Sequence, residues 1–207
     1  MYIPAHFHQT ETPALLDAIE RYSFGLLISN RQGQPFATHV PLILERDNGP
    51  HGSLVGHLAR ANPQWEELAG QSVLSVFSGP HAYISPSWYE TENMVPTWNY
   101  VAGHAYGQAS LIESRDEVKE IIERSGTVYE SSRPQPWKLD ATPTFLNRML
   151  DQIVGFRIAI ERIEGKWKLN QNHPVERREK VIHALRKDGD ENSVGIAELM
   201  SQSLPKR

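Results

Sequence analysis

The chain of 207 residues contains no cysteine. That excludes disulfides, zinc-thiolate sites and thiol catalysis, and it fits a reducing compartment, so a cytoplasmic location is expected. No run of about 18 apolar residues occurs, so no helical membrane span is expected. The opening MYIPAHFHQTETP lacks a basic stretch followed by an apolar one, the pattern of a secretory signal. Basic residues are in deficit: 21 Lys and Arg stand against 25 Asp and Glu, a net charge of −4. A domain that lives on phosphate contacts with nucleic acid normally has the opposite balance. G-x-G-x-x-G after a strand, G-x-x-x-x-G-K-[ST] and G-x-S-x-G are all absent. The common dinucleotide, phosphate-loop and acyl-transfer devices go with them. Internal repeats and low-complexity tracts are missing too.

What is present reads as short strands with helices outside them. Thr12-Pro13 offers a hydroxyl cap and a proline for a first helix, with Leu15, Leu16, Ile19 and Tyr22 at helical spacing. Strands are expected over 24–29, 35–45, 53–59, 72–79, 99–112 and 153–163, and 166–172 follows a turn at Glu164-Gly165. The connections are too short for parallel crossovers, so the pairing is expected to be antiparallel. Gly103 and Gly107 suggest bends or close backbone approach. Ser114 and Glu117 form a capping box before Val118, Ile121 and Ile122, and Thr142-Pro143 repeats the Thr12-Pro13 start. Residues 175–200 read as two helices divided near Asp188-Gly-Asp. The expected fold is mostly β with peripheral helices: a six-or-more-stranded antiparallel barrel. Residues 1–172 would form the barrel domain and 173–207 a helical appendix packed on it.

Three stretches carry candidate chemistry. In VGHLARANPQW (55–65) a strand gives way to a short helix capped by Asn62. Free N–H groups at that helix start, with His57 and Arg60 beside them, would suit a phosphate; the simpler reading is a cap and a solvated arginine. In 81–107, Trp98, Asn99 and Tyr100 sit at the mouth of a strand among small polar residues. Flat rings with a few fixed polar groups suit a planar cofactor, although aromatics also close barrel ends. In THVP (38–41) a proline within a strand limits pairing and turns backbone toward a ligand. His6, His8, His51 and His57 lack the spacing of a helix-borne metal pair, so no metal site is assigned.

In this order, THVPL (38–42), GHLARANPQW (56–65), YISPSWY (83–89), VPTWNY (95–100) and KWKLNQN (166–172) resemble the PaiB-type family of FMN-binding negative transcriptional regulators. The resemblance runs over nearly the whole chain. It implies an FMN-binding split barrel, similar to pyridoxamine-phosphate oxidases and flavin reductases, in which two subunits pair and FMN lies in the groove between them. Carried over, Thr38, His39, Val40 and Pro41 run beside the isoalloxazine, and His57, Arg60 and Asn62 hold the phosphate. Asn62-Pro63 stands where the oxidases have an Arg-Lys pair. Trp98, Asn99 and Tyr100 reach the flavin from the opposite subunit, and Lys168, Gln171 and Asn172 close over it.

Three uses of the flavin remain open at this point. As a regulator, the protein would meet DNA through ERREKVIHALRK (176–187), where Arg177, Arg178, Lys180, Arg186 and Lys187 could touch phosphates; a solvated helix with Val181, Ile182 and Leu185 packed inward is the plainer reading. As an oxidoreductase, it would let the cofactor carry the hard step, with Tyr83, Trp88 or His104 lining a substrate pocket. As a haem or tetrapyrrole binder, it would use His6, His8, His39 or His57 as axial ligand.

Overall fold

The computed structural model describes residues 1–205. In chain order, strand β1 (His8–Gln9) is followed by helix α1 (Thr12–Arg21) and by strands β2 (Phe24–Arg31), β3 (Gln34–Pro41), β4 (Ile43–Glu45) and β5 (Ser53–Ala59). Strands β6 (Ser72–Ile84) and β7 (Thr97–Ile112) precede helices α2 (Arg115–Glu130) and α3 (Pro143–Asp151). Strand β8 (Ile153–Lys168) and helices α4 (Val175–Asp188) and α5 (Glu191–Gln202) complete the described chain. Single-turn 3-10 helices occupy Pro63–Glu67 and Pro86–Tyr89.

The sheet order is β3-β2-β6-β7-β8-β5-β4, with β1 on β8. The pairs β2–β3, β2–β6, β4–β5, β5–β8 and β1–β8 are antiparallel. Period-two alternation produces these strands. In β7 the odd positions from Asn99 to Ala109 are buried while Trp98, Tyr100 and Gln108 point the other way.

One compact unit comprises residues 19–77 and 105–163. Here the run 35–45, expected as one strand, breaks at Leu42, whose N–H donates to Ser23 O at 2.9 Å. Its first half pairs with β2 and its second with β5, so the run joins the two ends of the strand order and curls the sheet into a barrel. Glycines permit the closeness: a Cβ on Gly56 would meet Pro41 O at 3.0 Å, and one on Gly107 would lie 2.1 Å from Ala159 O. Leu27, Leu42, Leu54, Phe77, Phe156 and Ile158 are sealed inside, each such side chain stabilising by roughly 1.5–3 kcal/mol. Ser114 caps α2 through Glu117 N at 3.3 Å, but the Glu117 carboxylate takes the Arg157 guanidinium at 2.9 Å. The expected reciprocal box is half made, because an ion pair outcompetes a single N–H.

The second unit comprises residues 1–18, 78–104 and 164–205 of the described chain. The expected turn at Glu164-Gly165 is instead continuous strand, paired through Gly165 with Gln9. Gly165 serves a close approach there: a Cβ on it would come 2.2 Å from Leu15 Cδ2 and 2.6 Å from the Trp167 ring. Helices α4 and α5 pack as a hairpin. Gly189, at φ 75°, ends the first, and the Asp190 carboxylate caps the second through Asn192 and Ser193 N–H, both at 3.1 Å. Val181, Ile182 and Leu185 of α4 and Ile196, Ala197 and Met200 of α5 are buried. Arg178 is buried with them, donating to Ser203 O at 3.0 Å and Ser203 Oγ at 2.6 Å, so it anchors the end of α5 instead of facing outward for phosphate. Tyr89, also buried, accepts a hydrogen bond from Asn170 Nδ2 at 2.8 Å.

Candidate functional site

In the barrel, β3 ends the strand order, so its outer rim has no ladder partner among the described residues. The loop after β5 clamps onto this edge strand. Asn62 Nδ2 donates to Thr38 Oγ1 at 2.9 Å, while Asn62 Oδ1 accepts from Gln64 N at 3.0 Å and starts the 3-10 helix. Buried Gln64 then donates to Leu27 O, Ser29 Oγ and Phe36 O, tying the loop to β2 and β3. Thr38 and Asn62 are thereby one fixed polar corner beside unpaired backbone. Next to it the exposed His39 ring stacks on Phe24, centroids 6.2 Å apart, while Val40 points into the core and Pro41 closes the strand. His57 on β5 is half-buried, and burial pushes its imidazole below the ordinary histidine range, so the ring is neutral at neutral pH.

Arg60 is directed elsewhere. Its Nε donates to Asp151 O and its Nη2 to Ile153 O, both at 2.8 Å, and its guanidinium lies 5.8 Å over the Trp65 ring. With Arg115, Trp65, Leu150 and Ile153 it lines a cavity of about 300 Å³ at the junction of α3 and β8. Arg60 and Asn62, adjacent in the motif, therefore serve different elements.

In the other unit Trp98 and Tyr83 are 53% and 47% exposed and meet edge to face at 5.9 Å, with the His81 ring 6.2 Å from Trp98. Tyr100 shares the Trp98 face of β7 and Asn99 does not: Asn99 is fully buried, donates to Met200 Sδ at 3.4 Å, and leaves its Oδ1 without a partner. Lys168 Nζ donates to Thr97 Oγ1 and, at 2.7 Å, to Trp98 O. Gln171 holds its own turn, donating to Trp167 O at 2.6 Å and accepting from Leu169 N at 2.7 Å, whereas Asn172 is exposed. Trp88 lines a cleft of about 790 Å³ with Glu90 and the α4 residues Glu179, Lys180 and His183.

Sequence reasoning passed over Lys166, Tyr2 and His173, and met Arg177 only as a candidate phosphate contact of the basic helix; here Lys166, which Tyr2 covers, shares a strand face with Lys168, and His173 and Arg177 follow it in the chain. The signal was available for Lys166, because K-W-K in a strand puts both lysines on one face. Among the described residues no group of three His, Asp or Glu side chains is placed to hold a metal. No described helix is long and apolar enough to cross a membrane.

An antiparallel barrel with an unpaired edge strand, a fixed polar corner and outlying helices defines a split barrel. The same fold occurs in the FAD and heme binding protein from Mycobacterium smegmatis, with a TM-score of 0.61 at 15% identity over 83% of this chain and 78% of that one. It occurs also in the flavocytochrome Anf3 from Azotobacter vinelandii, with a TM-score of 0.59 at 13% identity over 80% of this chain and 72% of that one. Identities this low carry the fold alone. The sequence supplies the rest: the family described as "Putative FMN-binding domain" matches residues 1–162, and the chain belongs to it. Over 209 aligned residues, 100% of both chains, it is 41% identical to the protease synthase and sporulation protein PAI 2 of Bacillus subtilis strain 168. FMN is accordingly the cofactor to test against the geometry, and the barrel residues fit it. The ring is edged with carbonyl and nitrogen groups that need donors and acceptors in one plane, which the free rim of β3 offers, flanked by the Thr38–Asn62 corner.

Proposed function

We propose that this protein is an FMN-binding regulator that works as a homodimer in the cytoplasm, with one flavin in each groove between subunits. The observation that carries it is the unpaired outer rim of β3 beside the Thr38–Asn62 corner, in a chain of the FMN-binding family. Thr38, His39, Val40 and Pro41 line the ring edge through their backbone, and His57 and Asn62 form the phosphate end, which Arg60 joins only through Nη1, the guanidinium nitrogen left over by Asp151 O and Ile153 O. Trp98 and Tyr100 of a second copy lie against the ring, with Lys168 and Asn172 at its margin; Asn99 and Gln171 support them from within their own unit. When bound, FMN supplies one- and two-electron redox chemistry. The chain's part is to orient the ring, exclude water on the covered face and offer the single N–H of neutral His57 at the phosphate end. The similarity to PAI 2 supports the regulatory role. Contact with DNA belongs to the dimer and not to one helix, since α4 turns Arg178 inward and ties Lys180 to Glu90 at 2.5 Å.

The test is a titration with FMN followed by flavin fluorescence, with sedimentation to read the mass. Saturable micromolar binding to a dimer is expected. Thr38→Val should weaken it by about 1 kcal/mol and Arg60→Ala by about 1.5–3 kcal/mol, the range of a charge-assisted bond. A folded protein that binds no FMN sinks the reading. Unchanged affinity in Arg60→Ala removes Arg60 from the site and leaves it as the brace of α3 and β8.

A further inference from the structure

Positive charge collects at the end of β8 without ion-paired carboxylates among the described residues. Lys166 is only 8% exposed, and its ammonium makes one hydrogen bond, to Tyr2 O at 3.1 Å, between the rings of Tyr100 at 5.2 Å and Tyr2 at 5.6 Å. Lys168, on the same strand face, donates to Thr97 Oγ1 and Trp98 O, and an ammonium has three N–H groups, so one is left over. The turn that follows brings in His173, whose ring lies 5.1 Å from Tyr89. The first turn of α4 adds Arg177, with Met94 Sδ at 4.0 Å from its Nη1.

These groups feel one another. Burial first, and then the charge of Lys166, push the Lys168 ammonium down; burial, then Arg177, then Lys168 push His173 down. Two carboxylates of the same unit are engaged elsewhere: Glu164 with the amino terminus and Glu90 with Lys180. Glu176, the acid in the first turn of α4, lines the Trp88 cleft. Among the described residues none of the four cationic or imidazole groups is ion-paired.

A second, independent feature lies in the same place. Helix α4 starts from Pro174, which has no side chain able to cap, so its first N–H groups lack the usual side-chain acceptor. The positive end of a 14-residue helix thus adds to Lys168, His173 and Arg177. Solvated surface lysines would not explain this, because Lys166 is buried and Lys168 half-buried.

We propose that Lys168, His173 and Arg177, backed by Lys166 and the start of α4, form a binding site for the oxyanion group, phosphate or carboxylate, of a small organic ligand. Two sources share that chemistry: the phosphate of FMN itself, or a separate small acid. The site does not depend on the FMN reading, since inorganic phosphate alone tests it.

The experiment is an NMR titration of the full chain with inorganic phosphate near neutral pH, at ionic strength held constant with chloride, following the His173 ring. A saturable shift is expected. Lys168→Gln and Arg177→Gln should each weaken it about tenfold, Lys168→Arg should retain it, and Lys187→Gln, further along the helix, should leave it unchanged. A shift reproduced by chloride, or equal phosphate affinity in the Lys168 and Arg177 variants, overturns the site. FMN titration of the same variants then assigns the source. Arg177→Gln decides, because Lys168 already stands at the flavin's margin: a parallel loss of FMN affinity in it identifies the flavin phosphate, in place of the His57 and Asn62 end, and an unchanged FMN affinity with lost phosphate affinity identifies a separate acid.

Discussion

Beneath α2 the barrel carries a charged cluster in which each cation meets a carboxylate. Arg124 donates to Glu45 at 2.8 Å, Arg157 donates to Glu45 and to Glu117, and Ser53 Oγ donates to Glu45 at 2.9 Å. The cluster of Lys166, Lys168, His173 and Arg177 in the other unit has no ion-paired carboxylate among the described residues. The first arrangement ties α2, β4, β5 and β8 together and is explained by folding alone. The second works against folding, because like charges are gathered and partly desolvated. The oxyanion proposed above would supply the missing charge.

Removing the central carboxylate should have the largest effect. Glu45→Gln leaves Arg124 without a carboxylate and Arg157 with Glu117 alone. With Glu45 19% and Arg157 25% exposed, solvent screens part of the penalty, and a loss of about 2–3 kcal/mol is expected from the shift in urea midpoint. Lys168→Met is the opposite case. Its lost hydrogen bonds are offset by relief of repulsion from Lys166, so stability should change by less than about 1 kcal/mol. Should the two variants lose stability equally, the contrast between the clusters is gone. A ligand sharpens it: phosphate at about ten times its dissociation constant should stabilise the wild type by about 1.4 kcal/mol, Glu45→Gln by the same increment, and Lys168→Met by none.

The contrast also marks what the sequence could reveal. Strand existence was legible because the signals are local: 53–59 is found as expected, as a buried run between turns, and β7 alternates from Thr97 to Ser110. The break at Leu42 was not legible, because it arises when one run serves two partners, β2 and β5. Gly165 misled for a related reason: a glycine marks a turn or a close approach with the same letter, and here Leu15 decides. In the candidate site, the pairing of Thr38 with Asn62 was within reach of the motifs. The parting of Asn99 from Trp98 and Tyr100 follows from strand parity alone. Glu45 escaped notice because its partners Arg124 and Arg157 lie 79 and 112 residues away, a separation no window of sequence spans.

The smallest effect expected, and the most discriminating, is in acid. Both His57 and His173 have pKa values below the ordinary 6.5, His57 through burial alone and His173 through burial followed by Arg177 and Lys168. Above that value both are neutral whether folded or unfolded and contribute nothing to pH dependence. As pH falls below it, the unfolded chain takes up protons that the folded chain refuses, so stability declines until the lower folded pKa values are reached. His57→Gln should make that decline shallower. Bound phosphate should also make it shallower, by raising the pKa of His173 toward the unfolded value, and this gain should be absent from His173→Gln. The acid loss due to His57 should be the same with and without phosphate. Unfolding midpoints measured across this pH range, in both variants and with and without phosphate, separate a histidine lowered by burial alone from one lowered by burial and then by neighbouring cations.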